Sequence, residues 1–153
     1  MLERCRERKY KLRWEKLRFK VPEVTYHGHR FTSDGLKPDP EKVKAVTDMP
    51  RPRDKAEVKR FLGMVNYLAK FLLNLSSVST PLRELTLNDR EFLWSKVHED
   101  SLNQIKQMIT NSPVFAYYNQ DEPVELETDS SDYGLSAVLS QNGHPVHYAS
   151  NFN

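Results

Sequence analysis

Val58-Lys59-Arg60-Phe61-Leu62-Gly63-Met64-Val65-Asn66-Tyr67-Leu68-Ala69-Lys70-Phe71-Leu72 is the most strongly patterned stretch of the chain. Val58, Phe61, Leu62, Val65, Leu68, Ala69 and Leu72 recur at steps of three and four, so a helix gathers them into one apolar stripe that a helical core explains without any ligand. Just upstream, Asp54 with Glu57 three residues on forms a capping box. Met49-Pro50-Arg51-Pro52 separates this helix from a shorter one running to about Asp48. Asp39 can accept a free N–H at the start of that shorter helix, and Pro40 fits a position that needs none. Downstream, a third helix is expected from Val78 to Leu85 with Pro81 near its first turn. A fourth should run from Ser95 to Ile109 with Val97, Leu102, Ile105 and Ile109 on one stripe, closed by Asn111-Ser112-Pro113.

On either side of these helices the period is different. Val124, Leu126 and Thr128 alternate with Glu125, Glu127 and Asp129, which in a strand puts the carboxylates on one face and leaves the aliphatic residues to pack on the other. Asp132-Tyr133-Gly134 reads as a turn. Leu135 to Ser140, Asn142-Gly143 and Pro145 to Ser150 read as a hairpin. Upstream, Val24 to Phe31 is rich in β-branched and aromatic residues, and Ser33-Asp34-Gly35 before Leu36 signals a turn, so this region also reads as a β-hairpin. Residues 1–20 suggest a helix end around Leu2 and Cys5, then strand or turn. The expected fold class is α+β: hairpin, helical bundle, unfinished meander.

The chain has 153 residues, 38% hydrophobic and 29% charged. That is enough for a sizeable core, too apolar for wholesale disorder and without any run long enough to cross a bilayer. With one cysteine and no apolar leader, an intracellular, reducing setting is expected, in cytoplasm or nucleus. In such a setting the Asn74-Leu75-Ser76 sequon goes unused. Cys5 lies among Arg4, Arg6 and Arg8 but has no evident His base, which argues against a catalytic thiol.

The net charge of +2 conceals a division. Residues 1–70 hold 19 Lys and Arg against 10 Asp and Glu, whereas residues 71–153 hold 4 against 11. No Lys or Arg follows Lys106, so phosphate would avoid that end unless metal ions intervened. Lys42, Lys44, Arg51, Arg53, Lys55, Lys59 and Arg60 cluster on or between the first two helices, where they could meet phosphates on both strands of a duplex without reading sequence. His27 and His29, two apart, would share a strand face, but no Cys or acidic partner is nearby, so a structural or backbone-contacting role is the better reading.

Several ordered motifs resemble the downstream part of reverse transcriptases of gypsy-type long-terminal-repeat retrotransposons. Tyr26-His27-Gly28-His29 resembles Phe-Leu-Gly-His. Arg60 to Tyr67 resembles Arg-x-Phe-Leu-Gly-Leu-x-x-Tyr-Tyr, and Pro81-Leu82-Arg83-Glu84-Leu85 resembles Pro-Leu-x-x-Leu. Phe92-Leu93-Trp94, Ile105-Lys106, Ser112-Pro113-Val114 and Glu127 to Gln141 follow in the same order. The family's Asp-Ala-Ser is here Asp129-Ser130-Ser131.

The resemblance implies that residues 1–37 complete a polymerase palm, that 38–110 form the helical thumb and that 113–153 open a ribonuclease-H-like domain. Gly28 and its flanking His27 and His29 then resemble the primer grip, with Gly28 allowing close approach to a sugar-phosphate backbone. Asp129 resembles the first catalytic, metal-holding Asp of the ribonuclease H set, whose other members this chain lacks. The Tyr-x-Asp-Asp turn of the polymerase is also missing. The intact parent would use Mg2+ for RNA-directed DNA synthesis and RNA-strand hydrolysis; this chain alone is expected to hold no cofactor and to be inactive. Expected partners are an RNA–DNA or DNA template-primer duplex and the remainder of the Pol polyprotein, with no membrane. Two rival readings are a domesticated, non-enzymatic nucleic-acid-binding module and an interaction protein that pairs through an open sheet edge.

Overall fold

A computed structural model describes residues 2–11, 13–131 and 134–152, and the fold is α+β. After helix α1 (Leu2–Glu7) and a single 3-10 turn at Trp14–Lys16 come three short strands, β1 (Val24–Tyr26), β2 (His29–Thr32) and β3 (Gly35–Pro38). The expected hairpin is thus a three-stranded antiparallel sheet in the order β1-β2-β3. His27 and Gly28 make the first turn, both with positive φ, and Ser33-Asp34 the second. His27 therefore sits in a turn, and it does not share a strand face with His29.

Helix α2 (Pro40–Thr47) begins as its sequence dictates, with Asp39 accepting the Glu41 N–H at 3.0 Å. Helix α3 (Lys55–Tyr67) is capped by Asp54, which accepts the Glu57 N–H at 2.7 Å, while the Glu57 carboxylate reaches back to the Arg53 N–H at 2.8 Å. The apolar stripe continues past α3 as a 3-10 turn, Ala69–Phe71. Helix α4 (Leu75–Glu84) starts earlier than its Pro81 suggests. Leu75, Ser79 and Leu82, at i, i+4 and i+7, are buried together, and this packing overrides the preference of proline for a first turn. Helix α5 (Lys96–Thr110) follows Ser95. Val58, Phe61, Val65, Leu72, Leu82 and Ile105 lie at the centre of the helical core.

Strands β4 (Glu125–Ser131), β5 (Gly134–Gln141) and β6 (His144–Phe152) form a second antiparallel sheet in the order β4-β5-β6. Asn142-Gly143, again both at positive φ, turns β5 into β6. The turn expected at Asp132-Tyr133 lies outside the described residues. The two sheets are stitched together by the segment around Phe115. Phe115 exchanges both backbone bonds with Leu36 of β3, at 2.8 and 2.9 Å, and the next residue, Ala116, donates to the Pro145 carbonyl of β6 at 2.8 Å. The strand order across the molecule is therefore β1-β2-β3, residues 115–116, β6-β5-β4. Gly35 is obligatory at this seam, because a Cβ there would lie 2.2 Å from the Phe115 carbonyl oxygen.

An aromatic column crosses the same seam. His29 lies 5.7 Å from Phe71, Phe71 stacks on Phe115 at 5.1 Å, and Phe115 meets Tyr148 edge-on at 5.0 Å. Tyr148 pairs with Val138, so the face of the second sheet carrying Glu127, Asp129, Val138 and Tyr148 is the one turned toward the helices. The aliphatic face was expected to be packed and is open: Leu126 is 65% and Leu135 54% exposed. The reason is topological, since α4, the 3-10 turn at Ala69–Phe71 and the Phe115 side chain pack on the opposite face.

Candidate nucleic-acid interface

On α3, Arg60, Gly63, Met64 and Tyr67 recur at i, i+3, i+4 and i+7, a second stripe beside the core stripe, with Met64 packed against the core at its margin. With Lys42 and Val46 of α2 they line an open groove of about 390 Å³. Gly63 is part of its lining. A methyl group placed there would meet no heavy atom within 4 Å, so nothing inside the protein requires glycine. A mid-helix Gly costs about 1 kcal/mol relative to Ala.

Tyr67 joins this groove to the β1–β2 turn. The residue is 48% exposed, and its ring lies so close over Gly28 that a Cβ there would fall 2.3 Å from Tyr67 Cε1. With the Tyr67 ring in this position and a φ of +69°, the residue at this turn is suited to glycine. The Gly28 carbonyl accepts the Asp39 N–H at 3.1 Å, tying the turn to the start of α2. The rings of His29 and Tyr67 are 6.5 Å apart. Burial, followed by the nearby Lys70 charge, holds the His29 pKa below its ordinary 6.5, so His29 is neutral at pH 7. His27 is exposed, its ring edge-on to Tyr26 at 4.2 Å.

The seven basic residues singled out by sequence do not share one surface. Lys42 and Arg60 converge on the groove, and Lys59 is exposed on the same helix as Arg60. Lys44 lines a separate cleft with Lys37 and Thr110. Arg51 and Arg53 line a third, with Pro50, Pro52 and Phe92. There the Arg51 guanidinium lies 5.1 Å over the Trp94 ring and 3.9 Å from Glu99, and Arg53 is 3.4 Å from Glu57. The Lys55 ammonium donates to the carbonyls of Leu87, at 2.5 Å, and of Arg90, which ties the loop before α5 to α3. Charge clustering in the sequence does not point to Gly63, Met64 and Tyr67, which line the same groove. The available signal was a glycine on the polar stripe of an otherwise strong helix.

Asp129 lies on β4, exposed, beside a small groove of about 140 Å³ that Leu73, Asn74, Glu127 and Ser136 also line. Among the described residues no three His, Cys, Asp or Glu side chains converge as metal ligands would. One carboxylate does not make a site for a hard divalent ion, which takes several oxygen ligands. Mg2+ therefore does not fit the described residues. Among these residues, too, no helix is long and apolar enough to cross a membrane.

Residues 94–152 match the family model of the RNase H-like domain found in reverse transcriptase. The chain is 33% identical over 141 residues to the retrovirus-related Pol polyprotein from transposon 297 of Drosophila melanogaster, an alignment covering 92% of this chain and 13% of that protein. To the corresponding polyprotein from transposon opus of the same species it is 36% identical over 151 residues, covering 89% and 15%. The Tf2-3 transposon polyprotein of Schizosaccharomyces pombe is 32% identical over 126 residues, covering 82% and 10%. The chain thus spans between 10% and 15% of the length of these relatives. Among solved structures, the foamy viral protease-reverse transcriptase in complex with RNA/DNA hybrid superposes with a TM-score of 0.75 at 22% identity, covering 91% of this chain and 20% of that one. The same viral protein in complex with dsDNA gives 0.72 at 23% identity, covering 87% and 29%. At these identities the likeness establishes the fold.

Proposed function

The chain belongs to the retrovirus-related Pol polyproteins of transposable elements, and from that premise we propose that it grips a template-primer duplex, RNA–DNA or DNA, in the basic groove over α3. In this reading residues 1–37 end a polymerase palm, 38–110 are its thumb, and 113–153 are the first strands of a ribonuclease-H-like domain. The observation that carries it is Gly63. An exposed glycine without an internal reason lines a groove together with Lys42, Arg60 and Tyr67, where a sugar edge can approach the helix closely while the cations meet phosphates. The relatives' names and the foamy viral complexes point to the same ligand class.

RNA-directed DNA synthesis and RNA-strand hydrolysis are activities we assign to the whole polyprotein. Parent enzymes of this kind use divalent ions. Asp129 alone cannot hold them, and the 153-residue chain is inactive by itself.

The test is fluorescence anisotropy with a labelled RNA–DNA hybrid. Affinity should fall steeply with added salt, and Lys42→Glu with Arg60→Glu should weaken it about tenfold or more. Gly63→Leu should weaken binding comparably while leaving the circular dichroism spectrum unchanged. A salt-insensitive affinity, or full binding by Gly63→Leu, would refute the groove. For inactivity, Mg2+-dependent hybrid cleavage abolished by Asp129→Asn is the contrary result.

A further inference from the structure

A row of aromatic rings topped by an arginine lies beside the start of α3 and takes no part in the α3 groove. The rings of Phe92 and Trp94 are 6.3 Å apart, and those of Trp94 and His98 5.8 Å. The Arg51 guanidinium lies over the Trp94 ring, 5.1 Å from its centre. With 57% of its side chain exposed, it presents its other face to solvent. Pro50, Arg51, Pro52, Arg53 and Phe92 line an open cleft of about 690 Å³ beside this stack.

The stack is held in place before any ligand arrives. The Trp94 indole N–H donates to Glu99 at 2.9 Å, and the same carboxylate lies 3.9 Å from Arg51, so one acid orients both. The loop carrying Arg51 is pinned on either side: the Lys106 ammonium donates to the Met49 carbonyl, and the Arg53 N–H donates to Glu57 at 2.8 Å. Pro52 between them is buried. Two prolines restrict the backbone here, so a ligand meets a platform that it need not order first. The carboxylates do not close the cleft to anions, since exposed ion pairs such as Arg51–Glu99 and Arg53–Glu57 contribute little and can be exchanged for a phosphate.

Flat rings and a guanidinium plane beside an exposed cation suit nucleic-acid bases, and only unpaired ones, because in a duplex each base is already covered by its neighbours. We propose that this cleft binds single-stranded nucleic acid, an unpaired base lying on the Arg51 guanidinium and against Phe92 while Arg53 meets the adjoining phosphate. Every base has a π-face, so the cleft recognises a single strand with little regard to its sequence. The loop runs directly into α3, and a strand continuing from a duplex in the α3 groove would reach the cleft across the start of that helix; only this continuity rests on the groove reading.

Fluorescence anisotropy with a short labelled oligothymidylate, which forms no duplex, tests the cleft on the nucleic-acid-free 153-residue chain. The wild type should bind it. Arg51→Lys keeps the charge and loses the plane, Phe92→Leu keeps apolar bulk and loses the ring, and each should weaken binding about tenfold. Lys42→Glu with Arg60→Glu should leave this binding nearly unchanged while weakening that of an RNA–DNA hybrid, so the failure of either site shows without the other. Circular dichroism and thermal melts confirm folding, and if Phe92→Leu unfolds, the exposed Arg51→Lys decides. The proposal fails if the wild type does not bind oligothymidylate, if a folded Arg51→Lys or Phe92→Leu binds like the wild type, or if Lys42→Glu with Arg60→Glu weakens binding as strongly as Arg51→Lys. It fails also if oligoglutamate displaces the labelled strand as well as unlabelled oligothymidylate does, which would make the cleft a site for acidic peptides.

Discussion

His29 is placed by its neighbours so that its charge is unwelcome. It lies against Tyr67 and Phe71 with Lys70 near, and burial and that cation both favour the neutral ring. Unfolded, the imidazole takes up its proton around its ordinary 6.5; folded, it does so only at lower pH. The unfolded state therefore binds more protons in that window, so the stability due to the neutral ring is complete above pH 6.5 and declines as pH falls through it. His98 acts in the same direction, its pKa lowered by burial against an opposing pull from Glu84, and its Nδ1 accepts the Ser95 N–H at 3.0 Å. The melting temperature should drop between pH 7 and pH 5. His29→Gln should shrink that drop, and adding His98→Gln should shrink it further. An unchanged pH profile in both variants would remove these residues from the account. Little of this was legible beforehand: the sequence shows two histidines two apart, but their separation into turn and strand depends on where the reversal falls.

The β1–β2 turn and α3 act as one element because Tyr67 closes over Gly28. Gly28→Ala would put a methyl group into the Tyr67 ring at a residue with a φ of +69°, and on the order of 2–3 kcal/mol of stability should be lost in urea unfolding. The ring clash disappears if Tyr67 is also cut to Ala, so the double variant should lose less than the sum of the singles. Strictly additive losses would mean that the two residues do not bear on each other. At this scale the helices were largely readable, since caps at Asp39 and Asp54 and the apolar stripe of α3 are local features. The exception is α4, which begins at Leu75 because its contacts with the core outweigh the signal from Pro81.

Across the whole molecule, one buried aromatic residue holds three parts together. Phe115 stacks on Phe71, touches Tyr148 and pairs its backbone with Leu36, with only 1% of its surface exposed. Phe115→Ala should cost about 3–5 kcal/mol. Amide exchange should quicken in β3 and in β6 alike, because the seam between the sheets loses its anchor. Faster exchange confined to residues near 115 would show that the sheets are held independently. The alternation of residues 124–129, the capped helices and the glycine-containing turns follow from chemistry within a few residues, so the sequence alone determined the α+β class and the order of helical and strand regions, though not the third strand of the first sheet or the start of α4. Tertiary structure alone decided that Phe115 joins two sheets, that only Lys42 and Arg60 among the basic residues meet at Gly63, and that the aliphatic face of β4 lies open. Those outcomes depend on contacts between residues far apart in the chain, and a period-two or period-3.6 pattern specifies a face without specifying what will cover it.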